Sequence, residues 1–345
     1  MARLARADLF DPAEVAVIHC INRCVRRCFL CGDDTHTGRN YDHRKTWLEQ
    51  RLRLLAGQFG IDVLGFAILS NHFHLVLRNR PDVVSTWSDT EAAGRWLRLC
   101  PVRKTPDGEP AEPTDAELDT IRNVPPRLAE IRRRLSDISW LMRMIAEPVA
   151  RRANREDQVT GRFWQGRFKA VKICDEAALL ACAVYVDLNP IRAGLALTPE
   201  TSDFTSIQRR IESLRSPAAS VSRPDAWLAP LPLDEVAAPP GPQPSRSGVR
   251  ASDKGYLPLS VESYLQLVDW TGRQVVRGRG GAIPVDLPPI LARVGIAQQD
   301  WLPLVTGFGR LFHRVAGAPH TLSCLARPFH RHRFRPGRAE LLGQQ

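Results

Sequence analysis

The stretch Ile61-Asp62-Val63-Leu64-Gly65-Phe66-Ala67-Ile68-Leu69-Ser70-Asn71-His72-Phe73-His74-Leu75-Val76-Leu77-Arg78 decides the fold. Residues 61–69 form a β-rich run, Ser70-Asn71 supplies a turn, and residues 72–78 return as a second strand. Side chains alternate across a strand, so His72 and His74 share one face while Phe73, Leu75 and Leu77 take the other. Strand rise sets the two imidazoles about 6–7 Å apart along the backbone. Two neutral imidazoles with an apolar backing are half of a metal site. They are equally the pattern of two packed core residues, and spacing alone does not choose. His330-Arg331-His332 repeats the spacing with a charged middle residue and no apolar strand around it, and it reads as part of a solvated basic tail.

Working outward, residues 15–24 predict a preceding strand. Leu48, Leu52, Leu55 and Phe59 recur at helical spacing and are stopped by Gly60. Residues 92–99 predict a short helix, and the proline-rich segment 101–126 an insertion or loop outside the core. Ile138, Leu141, Met142, Ile145 and Val149 mark a further helix, which Pro148 should bend or end. Residues 162–173 predict a strand. Residues 175–188 predict a helix, with acids in its first turn and Pro190 just beyond. The order β-α-β-β-α-β-α points to an α+β domain over residues 1–215, an antiparallel sheet with helices packed on it. Pro, Ser and Ala enrichment makes 216–253 a linker. Residues 254–320 read as a small helical accessory region, with helices near 259–270, 287–295 and 301–316. Residues 321–345 read as a basic tail.

The 345 residues are 43% hydrophobic and carry a formal net charge of +11. That excess favours a polyanionic partner, nucleic acid first. No apolar run is long enough for a bilayer, and the N-terminus lacks the apolar core of a signal peptide. The expectation is a cytoplasmic protein, nucleoid-associated when bound to DNA, with its eight cysteines reduced. Cys20, Cys24, Cys28 and Cys31 lack the paired spacing of a strong zinc signature, and Cys20 and Cys24 fall in a strand. Core packing is the better reading.

A nucleophile completes the chemistry. Tyr185 and Asn189 lie four residues apart and so on one helix face. Tyr185 could be a core residue with a capped hydroxyl. A phenol has a pKa near about 10 and needs help to attack. A divalent cation stabilises developing phenolate and polarises a phosphate, and an amide oxygen from Asn189 suits such a hard cation.

With these residues in place, Ser70-Asn71-His72-Phe73-His74 resembles the His-hydrophobic-His motif of HUH single-strand nucleases. Tyr185-Val186-Asp187-Leu188-Asn189-Pro190-Ile191-Arg192-Ala193-Gly194-Leu195 resembles the tyrosine helix of IS200-like (Y1) transposases. Arg162, Trp164, Gln165 and Arg167 resemble the branch of REP-associated tyrosine transposases. The likeness runs over about residues 14–212 in order and spacing. It implies an HUH, ferredoxin-like fold and a metal-dependent DNA endonuclease and strand transferase acting in transposition. It also implies Mg²⁺ or Mn²⁺ on His72 and His74 with Asn189 as third ligand, and a 5′-phosphotyrosine on Tyr185. Asn189 stands where some members carry glutamine. The implied partner is single-stranded or hairpin DNA, with no membrane, and a homodimer is left open.

Between 132 and 172, eleven Lys/Arg face four acids, and Phe163, Trp164 and Phe168 interleave with them. Such a surface tracks a phosphate backbone, and its aromatics can stack bases. Arg162, Trp164, Gln165, Arg167, Lys169 and Lys172 are therefore the DNA-binding candidates, although each aromatic taken singly is better read as core. Three other readings remain: a domesticated hairpin-processing nuclease, a nucleic-acid-binding protein with a decayed site, and a histidine-nucleophile phosphohydrolase. The last requires a third histidine where Val76 stands.

Overall fold

The computed structural model describes residues 11–25, 32–33, 38–216, 220–233, 241–275, 291 and 296–326. The chain runs β1 (Ala16–Arg23), α1 (His43–Gln58), β2 (Ile61–Ile68), β3 (His72–Asn79), α2 (Pro81–Thr86), α3 (Asp89–Leu99) and α4 (Asp115–Arg122). It continues with α5 (Pro125–Leu135), α6 (Ile138–Glu156), β4 (Lys169–Ile173), α7 (Glu176–Asp187), α8 (Asn189–Arg192) and α9 (Ser206–Arg215). The C-terminal part adds α10 (Val261–Val275), α11 (Gln298–Leu311), β5 (Val315–Ala316) and α12 (Pro319–Ala326). The α+β expectation holds.

The sheet order is β2-β3-β1-β4-β5. The first four strands pair antiparallel, as expected, and the two-residue β5 joins β4 in parallel. Both faces of the sheet are covered. On one face, Ile18, Cys20, Phe73, Leu75 and Leu77 pack with residues of α1, α3, α5 and α6. On the other, Val76, Val171 and Ile173 pack with α7, α10 and α11. Helix α7 begins at Asp175, whose carboxylate accepts from the Ala178 amide (2.8 Å) in an N-cap. Ten of its twelve residues are buried, so it lies between the sheet and the C-terminal helices.

Several expectations are corrected. The segment 101–126 is not all loop: Thr114 and Glu117 form a reciprocal capping box that starts α4, and Ile121 is fully buried. Pro148 does not end α6. The Met144 carbonyl that would have accepted from residue 148 accepts from Arg51 Nε instead (3.0 Å). The expected strand 162–173 is regular only over Lys169–Ile173. Its first part is held by an isolated bridge between Cys24 and Trp164, because the Trp164 indole turns inward to donate to the Ala146 carbonyl (2.7 Å).

The described parts of 216–253 are packed rather than linker-like. Trp227, Leu228 and Leu231 are buried, with the Trp227 ring 5.1 Å from Phe66. Ser252 and the guanidiniums of Arg78 and Arg80 converge on the buried Asp62 carboxylate. Proline and serine content marks irregular backbone, and apolar anchors still decide whether that backbone is buried. Among the described residues of 254–320, Tyr264, Leu267, Trp301 and Phe308 share one core with α7. The helix expected at 287–295 falls almost wholly outside the described residues, as do Cys28, Cys31, His330, His332 and the tail from 327. Among the described residues, no helix is long and apolar enough to cross a membrane.

Trp227→Ala should lower the unfolding free energy by about 3–5 kcal/mol, as expected for an emptied core site. Urea denaturation measures it, and a change within experimental error would return this segment to a passive linker.

Candidate active site

Strand pairing builds the site. In the β1–β3 register Arg23 faces His72, Ile21 faces His74 and His19 faces Val76. Paired residues project to the same face, so His19, His72, His74 and Arg23 share the face that α7 covers. The His72 and His74 rings are 4.9 Å apart between centres. His72 Nδ1 meets Asn71 Oδ1 at 2.5 Å. An amide oxygen only accepts, so His72 carries its proton on Nδ1 and leaves a lone pair on Nε2. His74 is buried, its Nδ1 lies 2.9 Å from His19 Nε2, and its own Nε2 is buried without a partner.

Burial holds these rings neutral. It lowers His72 to about 4, with help from Arg23. It pushes His74 well below the ordinary histidine value, with smaller contributions from His19, His72, Arg23 and Arg192. It lowers His19 to about 3. Neutral imidazole is the form that binds a metal.

Tyr185 comes to this face from α7. Its ring stands edge-on to His74 (5.7 Å) and His19 (6.0 Å). Phe308 of α11 packs against it at 5.6 Å. The Arg192 guanidinium lies 4.9 Å from the ring centre and donates to the Thr306 carbonyl (2.7 Å). Gly309 passes close to the hydroxyl: a Cβ there would sit 2.8 Å from the Tyr185 oxygen.

A solvent-open cleft of about 220 Å³ unites these groups. His72, His74, Tyr185 and Gly309 line it, with Arg23, Gln165, Arg167 and Lys169 along its rim. Three of the six DNA-binding candidates are thus at the cleft. Trp164 instead packs edge-on to Phe73 (5.5 Å) in the back core. Lys172 faces Ile18 across β1, whereas Lys169 faces Ile21, so Lys172 projects from the opposite side of the sheet. Arg162 is exposed and does not line the cleft. Asn189 is buried, gives its Nδ2 to the Tyr185 carbonyl (3.1 Å) and lies outside the cleft walls.

The donor set fits a hard divalent cation in part. His74 Nε2 is an orphaned buried ring nitrogen, and His72 Nε2 is left with its lone pair. Among the described residues no group of three His, Cys, Asp or Glu is arranged to hold an ion. A cation held by the two histidines would take its remaining ligands from amide, phosphate or water oxygens, as is usual for Mg²⁺.

His19, Arg23, Arg192, Phe308 and Gly309 were not selected from sequence. Period-two alternation puts His19 and Arg23 on one face of β1, but which strand lies beside them is a tertiary fact. No family model matches the chain, and no curated protein matches it. Among solved structures, a REP-associated tyrosine transposase bound to a REP hairpin aligns with 59% of this chain and 82% of its own. The identity is 12% and the TM-score 0.34, a likeness too slight to carry an argument about activity.

The buried histidines set an acid response. Above pH 6.5 they are neutral whether the chain is folded or unfolded. Below it the unfolded chain takes up protons that the folded chain excludes. Stability should therefore fall toward pH 4, by up to about 1.4 kcal/mol per pH unit for each histidine. Denaturation of metal-free protein at pH 7 and pH 5 measures the slope, and His72→Gln should make it shallower. Equal slopes would remove His72 from the response.

Proposed function

We propose that the chain is a metal-dependent, single-strand DNA nuclease and strand transferase of the IS200-like type, with Tyr185 as nucleophile. The observation that carries the reading is the packing of Tyr185 against His74, 5.7 Å between ring centres, at the edge of one solvent-open cleft. These residues are 111 positions apart, and nothing in local structure requires them to meet. The motif resemblance at residues 70–74 and 185–195 supports the same reading.

His72 and His74 would hold Mg²⁺ or Mn²⁺ through Nε2, with Asn189 Oδ1 proposed as third ligand after rotation of its amide. When bound, the cation supplies charge stabilisation to the phosphate under attack and to the phenolate. Arg23, Arg167 and Lys169 place positive charge along the rim and would engage the flanking phosphates of a single strand. Tyr185 Oη, once its proton is lost to solvent, attacks phosphorus and forms a 5′-phosphotyrosine. The displaced oxygen takes up a proton and leaves as a 3′-OH. A 3′-hydroxyl attacking the same phosphorus reverses the step and rejoins DNA, with the phosphodiester energy kept in the covalent link. Arg192, over the face of the Tyr185 ring, holds a positive charge beside the site of the developing phenolate.

An end-labelled oligonucleotide with a hairpin and single-stranded flanks, incubated with Mg²⁺, should yield a covalent protein–DNA adduct on a denaturing gel. Tyr185→Phe should reduce it by about 10²-fold or more while DNA affinity is kept. An undiminished adduct would remove Tyr185 as nucleophile. Intact binding with no cleavage by wild-type protein would favour a binding protein with a decayed site. Gly309→Ala should displace the hydroxyl and slow adduct formation by between about 10- and 10²-fold at unchanged DNA affinity, since small misplacements of a reacting atom are costly. Single-turnover rates check this.

A further inference from the structure

His19 is a polar ring in the middle of the central strand, almost fully buried, and the proposed chemistry gives it no task. It does not line the cleft. Its Nε2 is directed at His74 Nδ1 (2.9 Å), with the two rings nearly parallel (16°, 5.1 Å between centres). Tyr185 and Phe308 close over it edge-on at 6.0 and 6.1 Å. The contact is therefore sealed from bulk water.

Two neutral imidazoles that share one hydrogen bond have only two arrangements. If His19 donates, His74 Nδ1 accepts, and the His74 proton must sit on Nε2. That would bury an N–H with no acceptor, since Nε2 has no partner. If His74 donates from Nδ1, His19 accepts, and His74 Nε2 keeps its lone pair toward the cleft. The second arrangement puts the His19 proton on its own Nδ1 and leaves His74 Nε2 as the lone pair that a metal ligand needs.

We propose that His19 is the positioning residue of the metal centre: by accepting from His74 Nδ1 it fixes the tautomer and ring plane that present Nε2 to a divalent cation. The inference rests on the metal reading of the site given above. His72 is served in the same way by Asn71, so each metal-facing imidazole has its Nδ1 engaged by a separate acceptor. His19 cannot be a third ligand through Nε2 in this arrangement, because that lone pair is already committed.

The test uses the full chain and Mn²⁺ alone, with equilibrium binding followed by electron paramagnetic resonance. His19→Leu, which cannot accept, should weaken Mn²⁺ binding by about 10- to 100-fold. His19→Gln, whose amide oxygen can accept, should restore most of it, and thermal midpoints of both variants are read in parallel. A merely structural role would make Mn²⁺ affinity follow stability and would not separate Leu from Gln. Should either variant fail to fold, ¹⁵N imidazole shifts of metal-free wild-type protein report the His74 tautomer directly. Nδ1-protonated His74 supports the proposal, and Nε2-protonated His74 overturns it. Wild-type binding matched by His19→Leu overturns this inference alone. Wild-type protein that takes up no Mn²⁺ overturns the metal reading and the inference with it.

Discussion

Helix α7 is apolar around almost its whole circumference, and ten of its twelve residues are buried from water. Leu179, Leu180, Val184 and Val186 are each buried, worth about 1.5–3 kcal/mol apiece in gross terms. That sum is comparable with the whole net stability of a typical domain. The sheet can cover only one side of the helix. The other side is taken by α10 and α11, and that requirement draws the C-terminal third of the chain onto the core. Polar ties follow the same path. Tyr264 donates to the buried Asp187 carboxylate (2.6 Å), Ala318 donates to Asp175 (2.5 Å), and Arg192 reaches the Thr306 carbonyl.

Covering α7 also shapes the cleft. Phe308 and Gly309 of α11 become a wall beside Tyr185, with glycine where a side chain would press on the hydroxyl. Tyr185 is thus held between elements more than a hundred residues apart from it in each direction. The same burial desolvates the histidines and keeps them neutral. Positive charge stays at the rim, where Arg167 and Lys169 remain exposed to solvent.

The hairpin at 61–78, the helix at 175–188 and the sharing of one face by His72 and His74 were legible because period and turn chemistry are local. The capping box at Thr114 was also local, but proline content around it masked the signal. Pro148 misled for a related reason: proline removes one hydrogen bond, and Arg51, from another helix, supplied the orphaned carbonyl with a new donor. Trp227 shows the limit of composition, since a Pro- and Ser-rich segment can still be pinned by a single large ring. Lys172 and Trp164 show the limit of a charged, aromatic-rich stretch, because side-of-sheet is set by register and not by content.

By itself, the sequence determined the strand that carries His72 and His74, the helix that carries Tyr185, and an excess of positive charge. Those depend on contacts between near neighbours in the chain. Only the tertiary structure decided that Tyr185 meets His74, that His19 meets His74 rather than lining the cleft, and that α11 walls the site. Each of these is a pairing of distant segments. Such pairings are set by which apolar surfaces must cover one another, a property of the packed chain as a whole.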